Sequence, residues 1–297
     1  MPTEKLFTEA PPFPDNIPVA NLSTLSLEKL LTGDEKESMR FFDACKNDGF
    51  FLLDLRHASI GASLLTLAEE LFRVNEALFN EGPEELNKYT YPPPGILGYN
   101  AFGSTKVESG LPDRFEWYVL SQDDIMGTIP PNTHPASVES SRSILHPFIT
   151  VSHNVVSQLL LLLDRHLCLP EGTLESRQKL DRESGTIVRF LKYPPQPEGD
   201  RRTSLFGGIL RSNPHRVTFP PGEQANFTRY SVAYLMRAEA KASMKRLALA
   251  GSLIEPTKNG DREIEVTADE WVSQKTALAR LAKDPASVRD GRAVKAY

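Results

Sequence analysis

Cysteine is scarce: Cys45 and Cys168 are the only two in 297 residues. A disulfide-stapled scaffold is excluded, and the two thiols read as buried and unbridged, in keeping with a reducing compartment. Long apolar runs are missing too. The longest, Leu159 to Leu163, stops at Asp164 and Arg165, far short of the roughly 20 residues that cross a bilayer. The polar, proline-rich start MPTEKLFTEAPPFPDNIP has no apolar h-region, which argues against secretion. No G-x-G-x-x-G follows a strand pattern and no G-x-x-x-x-G-K-[ST] occurs, so dinucleotide and P-loop readings have no support. Positive charge is not in excess either. Lys and Arg number 34 against 39 Asp and Glu, a net charge of −5, which disfavours nucleic acid or an anionic membrane as partner. The expectation is a cytoplasmic globular protein.

What is present suits a folded core: 40% hydrophobic and 25% charged residues. Prolines at 11–18, 92–94, 130–135 and 194–197 mark loops. GDEKESMRFFDACKNDG predicts a helix with Met39, Phe42 and Cys45 on one stripe and Gly49 just past its end. FFLLD (50–54) reads as a short buried strand, and 60–79 as a helix carrying Leu64, Leu67, Leu71, Val74 and Leu78. Another helix is expected from about Val138 to His166. The second half turns β-like at 186–193, 215–219 and 227–236. Thr267 and Glu270 form a capping box for a last helix. Helices first and strands afterwards predict an α+β fold.

The chemically informative stretch is NPHRVTFPPGEQANFTRYSVAYLM. Arg229 and Ser231 alternate onto one face of a strand, where a guanidinium fork and a hydroxyl make a receptor for a carboxylate. His215, upstream on a neighbouring strand, is a candidate metal ligand.

H-R-V, a short turn, then R-Y-S resembles the distal half of the site in Fe(II)- and 2-oxoglutarate-dependent dioxygenases, in the fungal form of the isopenicillin N synthase-like branch. FFDACKNDGFFLLDL, GILGYNAFG with LPDRFEWYVL, RFLKYPPQP, GGILRSNPHRV and EWVSQKTALAR resemble further segments of that branch in the same order. The resemblance covers roughly 17–283. It implies a helical N-terminal region (1–170) and a double-stranded β-helix, or jelly-roll, core with a C-terminal helix (171–297). It implies Fe(II), 2-oxoglutarate and O2 as cofactors, and a small organic molecule as substrate, hydroxylated, desaturated or ring-closed in secondary metabolism. Arg229, Ser231 and Tyr193 are the implied 2-oxoglutarate residues, and His215 the implied distal metal ligand. Substrate identity and oligomeric state are not legible.

One departure stands out. The proximal metal motif is H-x-D, and none of the six histidines (57, 134, 146, 153, 166, 215) has Asp or Glu two places on. Tyr193 and His215 are 22 residues apart, where the family needs roughly 70 to hold the H-x-D strand and several more. About 50 residues are expected to be missing from the core, with the junction near Leu205 and Phe206. His153, on a long helix, and Glu116 are poor substitutes. One histidine binds Fe(II) weakly, so this chain is expected to be inactive or mis-spliced as written, or else a non-enzymatic binding remnant. Unpaired strand edges predict a marginal or aggregation-prone product.

Overall fold

In the computed structural model the residues described are 11–12, 14–17, 19–91, 95–104, 114–195, 222–254, 256, 265–281, 288–289 and 292–293. They fall into two compact units, Met1–Leu71 with Tyr193–Arg229, and Phe72–Lys192 with Tyr230–Tyr297. The expected strand at 215–219 lies outside the described residues, and with it His215.

In the first unit, β1 (Thr24–Ser26) leads directly into α1 (Leu27–Leu31), because Ser26 Oγ accepts from Lys29 N–H and caps the helix. Asp34 caps α2 (Glu35–Asp43) in the same way. The helix ends in a wider turn over Ala44–Asp48, closed by Gly49 at φ +68°. The buried face of α2 is not the expected one. Met39 is 49% exposed, whereas Glu37, Ser38 and Phe41 are buried. Glu37 can be buried because its carboxylate accepts from the Ser26 N–H at 2.6 Å and pairs with Arg40 at 2.5 Å. β2 (Leu52–Asp54) pairs in parallel with β1. It is shorter and less buried than FFLLD suggests, with Leu52 54% exposed. Phe51 instead meets the buried Phe41 edge-on, ring centres 5.5 Å apart.

The helix α3 (Ser59–Asn80) continues into the second unit, where Val74 and Leu78 are buried as the stripe predicts. After α4 (Pro83–Leu86) come β3 (Gly98–Asn100) and β4 (Glu116–Ser121), strands absent from the sequence expectation. They join β5 (Ile187–Tyr193) and β6 (Arg229–Leu235) in one sheet of order β3-β4-β5-β6. β3 pairs antiparallel with β4, and β4 with β5, setting Glu116 opposite Lys192 and Tyr118 opposite Phe190. Gly98 opens β3 at φ +74°, and a Cβ there would lie 2.0 Å from the Tyr89 carbonyl oxygen. Only glycine lets the two backbones pass so closely.

The expected helix from Val138 is two: α6 (Ala136–Glu139) and α7 (Arg142–His166), with α5 (Gln122–Met126) before them. By length and composition α7 is apolar enough to cross a membrane, which the short Leu159–Leu163 run did not suggest. It serves as a core helix of its unit, burying Leu145, Phe148, Ile149, Val155 and Leu162. Its buried polar groups are met locally: the Asp164 carboxylate accepts from Leu174 N–H, and His153 Nε2 meets the Gln178 carbonyl. The chain leaves α7 through Cys168 at φ +54°. Both thiols are free as expected, but Cys168 is exposed and Cys45 half-buried. α8 (Ala268–Leu281) carries the expected capping box, Thr267 N–H to Glu270 Oε2 at 2.8 Å and Glu270 N–H to Thr267 Oγ1 at 3.3 Å. A short hairpin of β7 (Val288–Arg289) and β8 (Arg292–Ala293) follows.

Candidate functional site

β5 is rich in β-branched and aromatic residues and five of its seven are buried, as for a strand with neighbours on both sides. Alternation puts Ile187, Arg189, Leu191 and Tyr193 on one face and Val188, Phe190 and Lys192 on the other. β6, its neighbour, is half-exposed along nearly its whole length.

The end of β5 and the start of β6 hold the sequence-predicted residues. Tyr193 is 6% exposed. The Arg229 guanidinium carbon lies 4.2 Å from the centre of the Tyr193 ring, close enough for strong cation–π attraction. Arg229 Nε is buried and has no hydrogen-bond partner. Ser231 stands two residues along β6, on the strand face of Arg229, and is half-buried. A guanidinium whose buried Nε has no partner keeps a donor for a carboxylate. Donor type and planarity therefore fit the far carboxylate of 2-oxoglutarate.

Asn75 of α3 reaches the same two strands. Wholly buried, it donates from Nδ2 to the Ser231 carbonyl at 3.0 Å and to the Leu191 carbonyl at 3.4 Å, and its Oδ1 has no partner. Sequence reasoning missed it. An asparagine between Val74 and Leu78 breaks an apolar stripe, and that interruption was the available signal.

The metal half is different. Among the described residues, no three His, Cys, Asp or Glu come together as a metal site. His153 is engaged by Gln178, and Glu116 accepts from the Tyr99 hydroxyl at 2.5 Å and pairs with Lys192 at 3.1 Å. Burial, reinforced by the Glu116 carboxylate, lifts the Tyr99 hydroxyl far above the usual phenol range. His134, set aside in the sequence for want of an acidic partner two places on, has one ten residues upstream. Its Nε2 meets Asp124 Oδ2 at 2.5 Å and its Nδ1 meets the Tyr118 hydroxyl at 2.9 Å, all three side chains buried. Arg142 adds bonds to Asp124 Oδ1 at 3.3 Å. This network ties β4 to α5 and to the loop before α6, and both oxygens of its carboxylate are engaged.

Comparison with known proteins fits this geometry. The profile of the family described as non-haem dioxygenase in morphine synthesis N-terminal matches residues 17–138. A 2-oxoglutarate-dependent dioxygenase of Glarea lozoyensis, gloE, is 26% identical over 82% of this chain and 87% of that protein. Over these spans the chain is similar to 2-oxoglutarate-dependent dioxygenases. A 2-oxoglutarate-dependent dioxygenase of Aspergillus fumigatus is 29% identical over 65% of this chain, which spans about half (51%) of that protein. A full-length protein of Neurospora crassa, solved in complex with alpha-KG, superposes with a TM-score of 0.66 at 17% identity, covering 87% of this chain and 96% of that one. A 2OG-Fe(II) oxygenase family protein from Caulobacter crescentus gives 0.64 at 17% identity, covering 87% and 99%. The fold is thus the mixed helix and jelly-roll fold of these dioxygenases, α+β as the sequence predicts.

Proposed function

We propose that this chain derives from an oxidoreductase that couples oxidation of a small organic molecule to decarboxylation of 2-oxoglutarate, in fungal secondary metabolism. As written, it keeps the co-substrate grip and lacks the proximal half of the metal site. The observation that carries this reading is the buried, partnerless Nε of Arg229 stacked on Tyr193.

Arg229 and Ser231 would hold the far carboxylate of 2-oxoglutarate, the fork taking both oxygens and the hydroxyl adding a donor. Tyr193 orients the guanidinium and shields it from water. Fe(II), when bound together with O2, supplies the oxidising chemistry of the family. The described residues do not fit it, so no step is assigned to them there. His215 is the one ligand that the motif implies.

The extent of the gap finds support in the alignment with gloE. It runs over 294 positions, yet 82% of 297 residues is about 244, so about 50 positions have no counterpart here.

The test has two parts. Calorimetry with 2-oxoglutarate should show saturable binding that Arg229→Ala abolishes; equal binding by the variant would sink the grip. Sequencing the genomic DNA between the codons for Leu205 and Phe206 should reveal an in-frame His-x-Asp strand if the chain is mis-spliced. Uninterrupted coding DNA there would instead make the deletion real and the protein catalytically silent.

A further inference from the structure

We infer that Asn75 is a positioning residue for the co-substrate grip, an inference that rests on the reading of Arg229 and Ser231 above. One side-chain nitrogen bonds the carbonyls of two adjacent strands, Ser231 on β6 and Leu191 on β5. It therefore fixes the backbone that carries the Ser231 hydroxyl against the strand that ends in Tyr193. The amide has no alternative orientation. Turned over, it would press Oδ1 against two carbonyl oxygens and leave both without their donor.

That orientation strands Oδ1 in the interior without a hydrogen bond. A buried acceptor with no donor is a standing cost that a packing residue does not carry. Leucine, similar in volume, would fit the apolar stripe of Val74 and Leu78 but would leave the two carbonyls without their shared donor. Asparagine gives the two strands a common donor at this point, and a small slip of β6 would carry Ser231 away from the carboxylate it is to bind.

Replacing Asn75 alone removes one unmet acceptor but leaves the Ser231 and Leu191 carbonyls without this donor, which costs stability. Asn75→Leu should therefore lower the melting temperature, and at a temperature where it is still fully folded it should bind 2-oxoglutarate about tenfold more weakly. Asn75→Asp serves as the second variant, and decides the matter if Asn75→Leu does not fold. Protonated, its carboxyl offers one donor to the carbonyls; ionised, it repels both. Its affinity should recover towards wild type as the buffer is taken from about pH 8 to about pH 5, while wild type stays flat.

The experiment is calorimetry with 2-oxoglutarate on the full chain, alongside thermal melts, for wild type, both variants and Arg229→Ala. Affinity lost at a temperature where each variant is fully folded, with acid recovery in the aspartate variant, is the expected result. Fully folded variants that bind within about twofold of wild type, or an aspartate variant whose affinity does not recover in acid, overturn the inference. If Arg229→Ala loses binding and the Asn75 variants do not, the parent reading stands and this one falls. If wild type does not bind at all, both fall.

Discussion

The Arg229 guanidinium carbon sits 4.2 Å from the centre of the Tyr193 ring, with its Nε buried and unpaired. The ring holds the guanidinium at its face by cation–π attraction. Cation–π contacts contribute about 0.5–2 kcal/mol, and charge-assisted hydrogen bonds about 1.5–3 kcal/mol. Arg229→Lys keeps the charge but forfeits the fork. It should weaken 2-oxoglutarate binding by about tenfold or more, and Tyr193→Leu by a few-fold, both read by calorimetry. A lysine variant binding as tightly as wild type would show that charge alone suffices.

Metal affinity should be poor. Among the described residues no ligand trio forms, and His215 by itself is far from the three protein ligands that hold non-haem iron. Titration with Fe(II) under argon should show no stoichiometric site tighter than about 1 mM, and succinate should not accumulate from 2-oxoglutarate. Tight one-to-one binding would mean that other ligands have replaced the His and Asp of the missing motif.

The Asp124–His134–Tyr118 network should matter to stability and not to ligand binding. His134→Ala leaves the buried Asp124 carboxylate with Arg142 alone and strips the Tyr118 hydroxyl of its partner. Breaking one member of such a buried set costs about 2–4 kcal/mol. Urea unfolding should show that loss, while 2-oxoglutarate affinity in the folded fraction stays level.

Asp123 sets a pH dependence. Burial raises its carboxyl above the ordinary 3.8, opposed by the Ser184 N–H that its Oδ2 accepts at 2.8 Å. The fold therefore favours the protonated acid. That contribution is complete below pH 3.8 and is lost as pH rises through the raised value. Asn at this position keeps the acceptor for Ser184 and does not titrate. Asp123→Asn should match wild type in acid and exceed it in stability towards neutrality, as read from melts across pH. A stability difference that shrinks with rising pH would contradict the assignment.

The sequence pointed to the candidate site more directly than to the sheet that carries it. R-Y-S singled out Arg229 and Ser231 through local alternation, and the resemblance of RFLKYPPQP singled out Tyr193. Val74 and Leu78 were legible from their helical spacing. β4 was not, because EWYVLS is bounded by no clear turn signal and buries both faces, so it shows no alternation. Met39 misled because Glu37, an acidic residue, takes the interior place through bonds to Ser26 and Arg40 that no local pattern announces. His134 and Asn75 depend on partners brought together by the fold, 10 residues away in one case and 156 in the other.

Gly98 extends these points beyond chemistry. Its constraint is set by the Tyr89 carbonyl 2.0 Å from where a Cβ would sit, and no ligand or metal enters into it. A gene copy that stops oxidising anything loses the pressure on its catalytic side chains, yet it must still respect this crossing for as long as its product folds. In such a copy, the glycine would outlast the histidines as a mark of descent.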